Sequence, residues 1–152
     1  MYKKILNKKL LKNQKGLTLI ELLAVIVILA IIAAIAIPAI GNIISNSKDK
    51  AIFSDAAGVL AGAKIAITDG ACGEADNNGI FTCEKNELED VFEGELDKDD
   101  MVKYDKPNKL YTITYSKLTD IANAKKFSIT GGFTAGKDKN ITDKELNKVM
   151  NQ

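Results

Sequence analysis

Between Leu17 and Ile40 the chain is apolar at every position but Thr18 and Glu21. From Leu22 to Ile37 the run is unbroken. Leu17 to Ile37 is 21 residues, about 31 Å as α-helix, which matches a bilayer core of about 30 Å. Pro38 has no N–H, and its ring collides with the carbonyl of Ala34. It predicts a kink or a loosened turn, and Gly41 adds softness just beyond it. After Pro38 the pattern becomes a stripe. Ile52, Ala56, Val59, Leu60, Ala63 and Ile67 recur at spacings of three and four, with Lys50, Asp55 and Lys64 off the stripe. The reading is one long helix over 17–68, apolar all round in its first half and amphipathic in its second. Asp69-Gly70 stops it.

Residues 70–108 read as mostly polar and irregular, with short helices at 86–92 and 96–103 and a turn at Pro107-Asn108. Leu110 to Tyr115 then alternates, which predicts a strand with Tyr111, Ile113 and Tyr115 inward and Thr112 and Thr114 outward. Lys126 to Thr130 repeats the alternation, with Phe127 and Ile129 inward and Phe133 in phase beyond Gly131-Gly132. Two or three antiparallel strands are expected to cover the helical stripe. Thr142-Asp143-Lys144-Glu145 is a capping box that opens a last short helix to Met150. The fold class is therefore α+β: a long N-terminal helix packed on a small antiparallel sheet, with a loop-rich connection between them. The expected organisation is a lysine-rich leader at 1–16, the membrane half of the helix at 17–44, and a globular part at 45–152.

Charge sharpens the N-terminus. Met1–Gly16 holds six lysines and no acid. Positive flanks stay cytoplasmic, so the C-terminal part is expected outside the cell. A secretory signal has a shorter apolar region and is cut after it, whereas here the plausible cut, after Gly16, precedes the apolar run. A carboxylate inside a bilayer costs several kcal/mol unless something pairs with it, so Glu21 demands a purpose. Outside the leader the side chains are 15 lysines against 20 acids. That mildly acidic balance argues against general nucleic-acid binding.

The chain has no histidine, which excludes Ser-His, Cys-His and zinc-histidine sites. With no phosphate loop either, no enzyme and no cofactor are expected. Its two cysteines, Cys72 and Cys83, are not in a CxxC spacing. If that part is extracellular, a disulfide closing the loop between them is the natural reading, worth about 2–3 kcal/mol. Two free thiols in a reducing setting are the alternative. Two fragments resemble parts of a calcium loop. Glu74-x-Asp76-x-Asn78-Gly79 has Lys85 where the bidentate glutamate belongs, and Asp138 to Glu145 lacks its first half. No metal is assigned.

Gly16-Leu17-Thr18-Leu19-Ile20-Glu21-Leu22-Leu23, followed by the apolar helix and Pro38, resembles a type IV pilin precursor with a class III signal peptide, of the Gram-positive kind. The likeness in sequence covers about residues 14–45. It implies that a prepilin peptidase cuts after Gly16 and that Leu17, where most members have phenylalanine, becomes the N-methylated N-terminus. It implies that Glu21, with Thr18 beside it, serves assembly by reaching the Leu17 amine of a neighbouring subunit, and that the helix loosens at Pro38 and Gly41 within the fibre. The implied partners are copies of itself and other pilins, the peptidase, the assembly platform protein with its ATPase, and the membrane.

The resemblance thus implies a structural subunit of a type IV pilus. It would be a single-pass protein of the cytoplasmic membrane before assembly and part of an extracellular filament afterwards, used in adhesion, twitching motility or surface colonisation. The alternative is a pseudopilin of a type II secretion-like or competence DNA-uptake machine.

Overall fold

The computed structural model describes residues 18–152. Helix α1 runs Leu19–Asp69 without a break through Pro38 and Gly41. The chain divides within α1 into a unit that reaches to Asn42 and a unit Ile43–Gln152. The helix ends in a Schellman turn. Gly70 has φ 79°, the Ala71 N–H donates to the Ala66 carbonyl at 2.8 Å, and the Gly70 N–H donates to that of Ile67.

In the C-terminal unit α1 is followed by β1 (Ile80–Cys83), α2 (Lys85–Glu89), β2 (Met101–Asp105), β3 (Leu110–Thr114), a 3-10 turn (Ser116–Asp120), α3 (Ala124–Phe127), β4 (Asn140–Thr142) and α4 (Asp143–Met150). The sheet has strand order β1-β2-β3-β4 and is antiparallel throughout. The α+β class expected from the sequence is the one found.

The inward row Cys83, Val102, Ile113 and Ile141 is in register across all four strands and buried. It meets the α1 stripe. Ala56, Val59, Leu60 and Ala63 are buried, as the spacing requires, while Ile52 and Ile67 are half-buried against the same core. The stripe extends further than the spacing indicates, taking in Phe53, Gly62 and Ala66, and Asp49 with them. Continuing that inward side of the sheet, Phe81, Tyr104 and Tyr111 form a second row. Tyr104 and Tyr111 stack at 4.2 Å, and the Lys64 ammonium lies over the Tyr111 ring.

Three expectations need correction. The helix expected at 96–103 is absent: Leu96 lies in irregular chain, a turn follows at Lys98–Asp99, and Met101 begins β2. Leu96 and Val102 are both buried but six positions apart, which is out of helical phase, and Val102 and Tyr104 pair instead with Ile113 and Tyr111. The strand expected at 126–130 is also absent. Ser128 donates to the Ala124 carbonyl from both its N–H and its hydroxyl, which closes a helical turn in α3. The inward positions Phe127, Ile129 and Phe133 are nonetheless in or against the core, so their alternation reports packing without a ladder. Finally, β1 lies in a stretch expected to be irregular. With β4 it brings the sheet to four strands.

Gly58 and Gly62 explain how the β1–β2 connection lies against α1. A Cβ on Gly62 would sit 2.9 Å from Val91 Cγ2 and 3.1 Å from the Val91 carbonyl oxygen, and one on Gly58 3.0 Å from the Phe92 ring. Gly62→Val is expected to destabilise the unit by about 2 kcal/mol through overpacking, measured as a lowered unfolding midpoint of the detergent-solubilised chain.

Candidate functional site

The described part of the N-terminal unit is an apolar helical surface. Leu22, Leu23, Ile26, Leu29, Ile32, Ile35 and Ile37 are all more than half exposed. An 18-residue window of α1 has mean hydropathy 3.2 and no buried residue, so this helix is long and apolar enough to cross a membrane. In water such an uncovered surface would be unstable, so its environment is lipid, other apolar helices, or both.

Glu21 stands in the first turn of this helix, three residues after Thr18. Its Oε2 accepts the Thr18 backbone N–H at 2.8 Å. This is one half of a capping box, and the carboxylate also lies at the positive end of the helix dipole. The structure brings Thr18 and Glu21 together and shows what holds the acid in the single chain: an amide at its own helix end. Gly16, Leu17 and the leader lysines lie outside the described residues.

Cys72 and Cys83 form a disulfide, with Cα atoms 4.8 Å apart. It ties the segment leaving α1 to the inward row of β1. The buried Cys83 Sγ lies 3.9 Å from the Ala63 carbonyl oxygen. That is a packing contact, because a disulfide sulfur has no proton to donate. Cys72→Ser is expected to cost about 2–3 kcal/mol, read as a lower unfolding midpoint with membrane insertion unchanged. A thiol assay finding two reactive thiols in the native protein would refute the bridge.

Asp76 in the first calcium-like fragment and Glu145 in the second serve as internal caps. Asp76 Oδ1 accepts from Ile80 N–H at 2.8 Å and from Asn78 N–H at 2.9 Å. The Ile80 bond, the largest influence, holds its carboxyl below the usual range. Glu145 accepts from Thr142 through Oε2 and from the Phe133 N–H through Oε1. Partial burial opposes its ionisation, but the Thr142 and Phe133 bonds outweigh it and lower the pKa. A lowered folded pKa means this stabilisation is present above the ordinary value of 4.5 and is lost as pH falls below it. Among the described residues no three acids or cysteines converge as a metal site.

Two buried acids escape the sequence reading. Asp49 accepts from the Ala122 N–H, the Asn123 N–H and the Asn123 side-chain amide at 2.7–2.9 Å. Asp100 accepts from the Asp97 N–H and from the Ser116 N–H and hydroxyl. Asp49 has a signal: it stands three and four residues ahead of Ile52 and Phe53, on the stripe itself. Asp100 has none, being one acid among many in its segment.

A bilayer-length apolar helix with one carboxylate in its first turn, leading into a separate α+β unit, belongs to a membrane-anchored protein. Residues 11–37 match the family model of the prokaryotic N-terminal methylation motif, the class III signal peptide typical of type IV pilins, so the chain carries a prepilin-type N-terminus. No curated protein and no solved structure matches it.

Proposed function

We propose that this chain is a structural subunit of a type IV pilus. The observation that carries the proposal is the methylation motif at 11–37 lying on a helix whose apolar surface is left uncovered from Leu19 to Ile44. In this reading a prepilin peptidase cuts after Gly16, removing the lysines and leaving the helix in the membrane. Leu17 becomes the methylated N-terminus, a cation four residues before Glu21. Inside a bundle of apolar helices, the Leu17 amine of one subunit and the Glu21 carboxylate of a neighbour lower each other's burial penalty. The apolar surfaces then pack on one another in a helical polymer with head-to-tail contacts. Pro38 and Gly41 mark where the helix loosens in the filament. Assembly draws on a platform protein and its ATPase, and the C-terminal units face outward to serve adhesion, motility or surface colonisation.

The test is the intact mass of the protein from cell envelopes with and without a working prepilin peptidase. Loss of residues 1–16 and gain of one methyl group, only with the peptidase, is the expected result. A full-length mass in both strains would overturn the reading. Gly16→Val is expected to block maturation, and an efficiently matured Gly16→Val chain would move the cleavage site elsewhere. Sheared surface filaments containing the mature chain are the further expectation. Confinement to short envelope structures would replace the pilus by a pseudopilus.

A further inference from the structure

The β1–β2 connection, residues 84–100, carries nine acids and two lysines, whereas the β3–β4 connection, residues 115–139, carries five lysines and two acids. The topology separates these charges in space. The β1–β2 connection and the β3–β4 connection leave the same end of the sheet, because Cys83, Val102, Ile113 and Ile141 are in one register. With strand order β1-β2-β3-β4 they leave over opposite halves of it. They also meet α1 at different heights. Phe92 and Val91 lie against Gly58 and Gly62. Asn123 binds Asp49, and Phe127 packs on Phe53. The two contact pairs are nine residues apart on the helix, about 13 Å.

Asp90, Glu93 and Asp99 are exposed on the acidic connection, and Lys125, Lys137 and Lys139 on the basic one. Among the described residues the ion pairs are Lys85–Glu89 and Lys117–Glu95. The second joins the two connections, and neither pair involves any of these six residues. Two flanks of opposite sign, displaced across the sheet and along the helix, complement each other through a repeated step from copy to copy. Such a contact is heterologous, and where its rotation does not close a ring it builds an open polymer.

We propose that the C-terminal unit docks on a second copy of this chain, the acidic β1–β2 connection of one against the basic β3–β4 connection of the next. This rests on the polymer reading above and adds to it the contact that sets subunit direction outside the membrane. The test uses the full chain in cells. One variant carries Asp90→Lys, Glu93→Lys and Asp99→Lys; another carries Lys125→Glu, Lys137→Glu and Lys139→Glu; a third combines all six. Either reversal alone makes both flanks alike in sign and is expected to lower sheared-filament yield at least about tenfold. The combined chain, complementary again, is expected to recover most of the yield.

Intact mass and an oxidised Cys72–Cys83 pair in each variant show that processing and folding survive. Processed, folded single-flank variants with normal filament yield would overturn the docking proposal. So would a combined chain as defective as the singles, or a loss of surface binding with filament yield unchanged, which would give the flanks to another partner. Failure of the wild-type chain to be processed would instead strike the pilus reading, and the mass measurement keeps the two failures distinct.

Discussion

The Glu21→Ala chain is expected to be cut after Gly16 as well as wild type and yet to give filaments at least about a hundredfold less abundantly. Removing one partner of a buried charge pair leaves the other uncompensated, at about 3–5 kcal/mol per contact, and each 1.4 kcal/mol is about tenfold in association. The same carboxylate also accepts the Thr18 N–H in the single chain, so alanine removes a helix cap as well. That cap is worth only about 0.3–1 kcal/mol at an exposed helix end. Glu21→Gln separates the two effects, because its amide oxygen can still accept from Thr18 while its charge is gone. A filament defect in the glutamine variant as deep as in the alanine variant assigns assembly to charge. Recovery in the glutamine variant assigns it to the cap and refutes the pairing role. Intact mass confirms processing in both.

The N-terminal signal is legible because several independent constraints coincide there. A bilayer demands length, topology demands flanking lysines, and a carboxylate in an apolar run has few physical justifications. The local use of Glu21 is less visible. Thr18 and Glu21 stand at capping-box spacing, three apart, but the spacing of an acid within an apolar run draws attention first to burial. The capping box at Thr142 and Glu145 is plain in the sequence. Its reach to Phe133 is not, because a separation of twelve positions along the chain hides such a contact.

In the C-terminal unit the sequence discloses faces better than elements. Phe127, Ile129 and Phe133 point inward as their alternation requires, although no strand carries them. Alternation records which side chains meet the core, and a short helical turn followed by extended chain satisfies the same pattern. β1 is hard to see because a four-residue strand gives too few alternations to stand out between polar loops. Met101 to Lys103 reads as the end of a helix because acids and lysines dominate the preceding turn. The disulfide is legible from two cysteines taken with the expected extracellular placement, and its place beside Ala63 is not.

The largest loss of stability is expected from Phe53→Ala. Phe53 is 2 % exposed, with ring centroids 5.3 Å from Phe127 and 6.0 Å from Phe133. It joins α1 to the Phe127 and Phe133 part of the β3–β4 connection. Truncation removes the transfer energy of the ring and leaves a cavity between three elements, at about 3–5 kcal/mol. For a unit of this size, that lowers the unfolding midpoint by roughly 15 °C. Asp49→Ala tests the polar clamp one turn earlier on the same helix face. It strips the acceptor from three donors of Ala122 and Asn123, at about 2–3 kcal/mol, because Ala122 is exposed enough for water to replace part of the lost bonding. The two residues hold one connection, so their effects are expected to couple, with the double variant losing less than the sum. Strict additivity would show that the clamp and the aromatic cluster act on independent pieces. A Phe53→Ala shift of only a degree or two would show that α1 does not carry the core contact assigned to it.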